Sequence, residues 1–263
     1  MRVPVNGGEI FVRTDGDLHS SMPWLVLSNS LASDHTMWDG QIDHLKQKYR
    51  VVRYDTRSHG HSSAPAGPYT FDLLIADVIA LFDALKISRA TFMGLSLGGM
   101  TGIGLALQHP ARLEKLVVCD ARADGPEGFV KSWDDRIAAL GKDGMASIVG
   151  GTLERWLVPA FRAANPETVK RVEAMILATP VAGYIGCAEA LKRLDYLKDM
   201  QRIKTPTLFV VGREDLGAPV VAMQQMADRV EGARLAVVDD AAHLPNIDNA
   251  KGFDMAIAAF LGL

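Results

Sequence analysis

Short apolar runs interleaved with helical patterns constrain this chain more than any other feature. The runs are Trp24–Leu27, Val51–Asp55, Thr91–Gly94, Leu116–Cys119, Leu208–Gly212 and Leu235–Val238. All are rich in Val, Leu and Phe, as strands covered on both faces must be. Helix candidates lie at 34–47, 71–85, 97–108, 219–230 and 249–261, and the segment FDLLIADVIALFDAL has the apolar spacing of one helix face. Such alternation implies an α/β fold, with a mostly parallel, doubly wound sheet and right-handed crossovers. The opening MRVPV-NGG-EIFVRT alternates apolar and polar residues around an Asn-Gly-Gly turn. It predicts a β-hairpin, which completes an eight-stranded sheet.

The alternation stops between 121 and 201. That stretch carries helical periodicity and glycine and proline punctuation but no buried strand, with helices expected near 126–140, 142–155, 166–178 and 181–193. We read 1–120 and 202–263 as the core and 121–201 as a helical cap inserted after the sixth strand. An insertion there lies over the carboxyl edge, where sheets of this type bind ligands.

The chemistry-bearing feature sits between a strand and a helix. Gly94-Leu95-Ser96-Leu97-Gly98 is a G-x-S-x-G turn, and small residues two before and two after the serine let the chain double back on itself. A phosphate loop is the competing meaning. It lacks support because no G-x-G-x-x-G or Walker lysine is present. A serine hydroxyl needs a base, and His243 follows the last strand in Ala241-Ala242-His243-Leu244-Pro245. Asp215 follows the preceding strand in Gly212-Arg213-Glu214-Asp215 and is the candidate for fixing the imidazole tautomer. Asp120, after the strand before that, is the alternative acid. Asp239 and Asp240 read as solvated turn residues. His19, His35, His44 and His109 read as surface or helix-end positions.

These segments together resemble the α/β-hydrolase superfamily along the whole chain, and within it the β-ketoadipate enol-lactonases (3-oxoadipate enol-lactone hydrolases). The resemblance is carried by Ser28-Asn29-Ser30-Leu31 with Met37-Trp38, by Tyr54-Asp55-Thr56-Arg57-Ser58-His59-Gly60-His61-Ser62, by the serine turn, and by the Asp215 and His243 segments. Many superfamily members have His-Gly where this chain has Asn29-Ser30, a departure that the enol-lactonases resemble. A second departure puts Ser58 where glycine is usual. His59 is expected to hold that loop and His61 to be a surface residue.

The resemblance implies ring opening by acyl transfer to Ser96, with His243 as base and then acid and Asp215 as its orienting carboxylate. The oxyanion would lie on the backbone N–H groups of Leu31 and Leu97. The lactone opened by that family carries a carboxylate, and arginine is the side chain best suited to pair it. Trp133 and Arg136, three apart on one predicted helix face, are the candidate substrate-binding pair. Arg122 and Trp156 are rivals, and pairing of Arg136 with Asp135 is the purely structural alternative. No metal or organic cofactor is implied. The alternatives on the same scaffold are a cofactor-free haloperoxidase, a general carboxylesterase and a non-catalytic binding module.

The partner that the resemblance implies is a small-molecule lactone, and bulk properties speak against nucleic acid and membrane. A net charge of −3 gives no broad basic surface for nucleic acid or an anionic membrane. No apolar run approaches the roughly 20 residues that span a bilayer. The N-terminus carries no apolar secretory core, so the expected location is cytoplasmic. Cys119 and Cys187 have no metal-ligand spacing, and Cys119 is expected to be a buried thiol. Nothing in the sequence specifies an oligomeric state.

Overall fold

A computed structural model describes residues 1–263. The strands are β1 (Arg2–Val5), β2 (Gly8–Asp15), β3 (Trp24–Ser28), β4 (Arg50–Tyr54), β5 (Ala90–Leu95), β6 (Leu113–Cys119), β7 (Thr207–Gly212) and β8 (Arg234–Val238). They form one sheet in the order β1-β2-β4-β3-β5-β6-β7-β8. The β1–β2 and β2–β4 pairs are antiparallel and all others are parallel. The doubly wound sheet read from the sequence is therefore present, with the hairpin as its antiparallel edge. Every residue of β5 and β7 is buried, because helices cover both faces.

The helices are α1 (Ile42–Leu45), α2 (Phe71–Ala84), α3 (Leu97–Gln108), α4 (Glu127–Ala139), α5 (Ala146–Trp156), α6 (Pro159–Ala164), α7 (Pro166–Ala178), α8 (Val181–Lys192), α9 (Val220–Ala227), α10 (Pro245–Asp248) and α11 (Ala250–Leu261). Thr70 caps α2, its hydroxyl accepting the Leu73 N–H at 3.2 Å. Helices α4 to α8 fall between β6 and β7, where α4 packs on α8 and α5 on α7. The segment between β6 and β7 is tied to the loop after β8 near the end of α5. The Leu244 N–H donates to the Trp156 carbonyl, and Asp248 accepts from the amides of Val158 and Ala242.

Three local features differ from the sequence reading. The helix expected at 34–47 is split into a 3-10 turn, His35–Trp38, and the short α1. Asp34 caps the turn, and Asp39, the residue that follows it, pairs with Arg53 at 2.5 Å. Helices α6 and α10 were not anticipated; each begins at a proline, whose missing N–H costs nothing at a first helical position. His35 is buried rather than superficial. Asp55 Oδ1 accepts from both the His35 amide and its Nδ1 at 2.8 Å, while Asp55 Oδ2 accepts from the His61 amide.

Arg57 and Asp77 form a buried two-pronged pair between the β4 loop and α2, with contacts of 2.7 and 2.5 Å. Removing one member of such a pair leaves an uncompensated buried charge. Arg57→Met is therefore expected to cost about 3–5 kcal/mol in urea unfolding, and adding Asp77→Leu is expected to restore most of it.

Candidate active site

The site starts from a backbone constraint. Ser96 ends the β5-to-α3 turn at φ 55° and ψ −115°, a left-handed conformation that costs a non-glycine residue about 1–3 kcal/mol. Two glycines make the turn possible. A Cβ on Gly94 would meet the Gly98 carbonyl oxygen at 2.2 Å, and one on Gly98 would meet the Ser28 carbonyl at 2.4 Å. The turn is bolted to its neighbours by Ser96 N–H to the Cys119 carbonyl at 2.8 Å and Gly98 N–H to the Asn29 carbonyl at 3.0 Å. Its result is a serine hydroxyl held at the cavity wall and engaged by no hydrogen-bond partner of its own.

His243 reaches the same cavity from the loop after β8. Its Nδ1–H donates to Asp215 Oδ2 at 2.8 Å, which leaves Nε2 as the free acceptor. Trp156 stacks on the ring at 6.2 Å between centroids, with planes 29° apart. Burial alone would raise the Asp215 carboxyl. The imidazole and the amides of Gly217 and Ala218 outweigh that and hold it below the usual carboxylate range, so Asp215 is the anion. No bond links Ser96 Oγ to His243 in this resting arrangement; such contacts commonly tighten only when substrate binds.

Two backbone amides beside the serine have no hydrogen-bond acceptor of their own. Leu97 is the first residue of α3, so its N–H has no intrahelical acceptor, and the Leu31 N–H donates to no other group. The Leu31 loop is held from both sides. Asn29 donates to the Tyr54 carbonyl at 2.8 Å and accepts from Trp38 Nε1 at 3.1 Å. His59 accepts the Ala32 N–H on Nε2 at 2.9 Å and donates through Nδ1 to the Arg57 carbonyl at 3.0 Å. Burial lowers its basicity, so His59 is a neutral strut. This clamp by Asn29 and Trp38 is not readable from the sequence, because it forms only when the loop folds back on β4.

The cavity, of about 330 Å³, is roofed by α4, α5 and α8 and lies above the serine. Trp133 and Arg136 both line it, the guanidinium 4.3 Å above the indole centroid. Asp135 does not pair with Arg136, because Lys131 takes it at 2.9 Å. Arg122 is held by Asp124 at 2.9 Å. Arg155, absent from the sequence reading, also lines the cavity; it donates to Thr152 Oγ1 at 3.1 Å. Neither Arg136 nor Arg155 has a carboxylate within 4.0 Å, and both lie beside the Tyr184 phenol. Its neighbour Trp156 was the nearest sequence signal to Arg155.

Two clusters bring ligating side chains to within 4.8 Å of each other, His35–Asp55–His61 and Asp120–Asp215–His243. In the first, both histidine Nδ1 atoms are bonded to Asp55; in the second, His243 Nδ1 is bonded to Asp215, while Asp120 Oδ2 has no hydrogen-bond partner.

An alpha/beta hydrolase fold family model matches residues 23–250. The chain belongs to the α/β-hydrolase family. It is 36% identical over 239 residues to 3-oxoadipate enol-lactonase 2 of Acinetobacter baylyi, covering 91% of this chain and 88% of that one. It is 32% identical over 247 residues to a Stutzerimonas stutzeri protein named as a carbamate hydrolase, RutD, covering 92% of both. The crystal structure of the enol-lactonase from Burkholderia xenovorans superposes with a TM-score of 0.95 at 37% identity, covering all of both chains. This α/β hydrolase is thus similar to enol-lactonases in sequence and in structure.

If Ser96 is the nucleophile, an activated ester gives a rapid burst equal to one acyl group per chain. Ser96→Ala is expected to abolish the burst with the fold intact, checked by stopped-flow absorbance beside circular dichroism.

Proposed function

We propose that this hydrolase opens a small, carboxylate-bearing enol-lactone, 3-oxoadipate enol-lactone to 3-oxoadipate, through an acyl-enzyme on Ser96. The observation that carries the reading is the pair of guanidiniums, Arg136 and Arg155, that line the serine's cavity without an acidic partner. A half-buried, unpaired guanidinium favours an anion, and arginine matches a carboxylate by two parallel hydrogen bonds. The volume suits a small ligand, at the lower end of the range for binding cavities. The similarity to enol-lactonases of Acinetobacter baylyi and Burkholderia xenovorans supports the same substrate class.

In this mechanism His243 Nε2 takes the Ser96 proton as Oγ attacks the lactone carbonyl. Asp215 stabilises the imidazolium that forms. The tetrahedral oxyanion is received by the Leu31 and Leu97 amides, each worth about 3–4 kcal/mol of transition-state stabilisation. Collapse expels the enolate oxygen, which takes the proton from His243 and remains attached to the acyl group as the ring opens. Water, activated by the same imidazole, then attacks the acyl-enzyme and releases a dicarboxylate. Trp133 and Arg136 bind the substrate's own carboxylate from above, and Arg155 adds positive potential beside it. The reading places the protein in the catabolism of aromatic compounds, in the cytoplasm.

Turnover of the enol-lactone is expected to exceed that of Ser96→Ala by several orders of magnitude. Arg136→Ala is expected to raise KM for it by about 10–100-fold, equivalent to losing a hydrogen bond to a charged group, and to leave neutral p-nitrophenyl acetate little changed. Wild type no faster than Ser96→Ala on the lactone would refute this substrate, and a ureido or carbamate substrate would be tried in its place.

A further inference from the structure

One buried acid in the site is unused by the mechanism above. Asp120 closes β6, is 0% exposed and has a positive φ of 46°. Its own amide donates to the Val210 carbonyl at 2.9 Å, and its Oδ1 accepts the Gly212 N–H at 2.8 Å, so β7 grips it at two points. The other oxygen, Oδ2, is buried with no hydrogen-bond partner. Ligating atoms of Asp120, Asp215 and His243 all lie within 4.8 Å of one another.

Two carboxylates this close in a water-excluded space do not both ionise beside a neutral imidazole. The partners decide which one carries the proton. Asp215 receives the His243 N–H and the amides of Gly217 and Ala218, whereas Asp120 receives a single amide. A buried carboxylate anion with an unpaired oxygen is costly, whereas a carboxylic acid whose O–H is donated to a neighbouring carboxylate satisfies both groups. We propose that Asp120 is a positioning residue for the triad: a carboxylic acid held neutral, whose O–H is directed at the Asp215 carboxylate. Burial, then the adjacent Asp215 charge, push the Asp120 carboxyl well above its usual range, in keeping with that state. The donated proton holds Asp215 as an anion in one orientation, and through it the Nδ1–H of His243. This rests on the reading that Asp215 serves His243.

The other groups that face the pair are Cys119 on β6, Asp248 on α10 and, across the cavity, Arg122, Arg136 and Arg155. Asp248 matters to the test, because burial pushes it up to about 6, inside the window where an imidazole titrates.

The experiment is the pH dependence of kcat and kcat/KM on neutral p-nitrophenyl acetate for wild type, Asp120→Asn, Asp120→Ala and Asp215→Asn. Each is measured in the native and the Asp248→Asn background. Asp120→Ala is expected to lower kcat by about 10–100-fold. The isosteric Asp120→Asn, which keeps a donor toward Asp215, is expected to recover kcat to within about threefold, with its acid limb within about 0.2 pH of wild type. An acid limb that falls by about 0.5 pH or more in Asp120→Asn would mean that a negative charge had been removed and would overturn the proposal. Full kcat in Asp120→Ala would overturn it equally. Loss of folding in Asp120→Ala leaves the Asp120→Asn profile to decide. Wild-type activity in Asp215→Asn would instead overturn the triad reading.

Discussion

Everything in this site hangs on the left-handed backbone of Ser96. That conformation is unfavourable in itself and survives because the surroundings over-determine it. The Ser96 amide is fixed to β6, the Gly98 amide to the loop after β3, and the chain passes close enough to itself that Gly94 and Gly98 have no room for a Cβ. One turn therefore sets three things at once. It lifts the hydroxyl to the cavity, it opens α3 with an unengaged Leu97 amide, and it brings the Leu31 loop alongside. The cost is spread over a buried parallel sheet, whose rigidity keeps the hydroxyl and the amides in one geometry.

The second constraint is electrostatic. On the cavity wall, Asp215 is matched by His243 and backbone amides, and Arg122 by Asp124. The cations left without an acidic partner come from the helices between β6 and β7: Arg136 on α4 and Arg155 on α5. Burial works against both guanidiniums, and Tyr184 partly offsets it. Two poorly solvated cations over a serine are the feature on which the proposed anionic substrate rests.

Much of this was legible in the sequence, for identifiable reasons. The parallel sheet could be read because strands buried on both faces are continuous apolar runs, and Ser96 because its turn demands glycine at fixed offsets. Asp215 and His243 were found because each follows a strand directly, so their positions are set by topology. Long-range contacts were not legible. Asp55 draws His35 inward, and Asn29 is clamped by Trp38 and Tyr54, through pairings that no spacing rule encodes. Arg155 was missed for a related reason: its role depends on how α5 is rotated over the sheet, and periodicity assigns a face without saying what the face meets. The helix expected over 34–47 breaks across Asp39-Gly40-Gln41, where glycine has little helix propensity.

The central claim is that this cavity selects its acyl group by charge. The most direct measurement compares kcat/KM for a carboxylate-bearing lactone with that for its own methyl ester on the wild-type protein, at low and at high salt. The account predicts that the carboxylate form is preferred by about tenfold or more at low salt, with the preference only partly eroded at high salt because the guanidiniums are half-buried. Equal values for the acid and its methyl ester would contradict it.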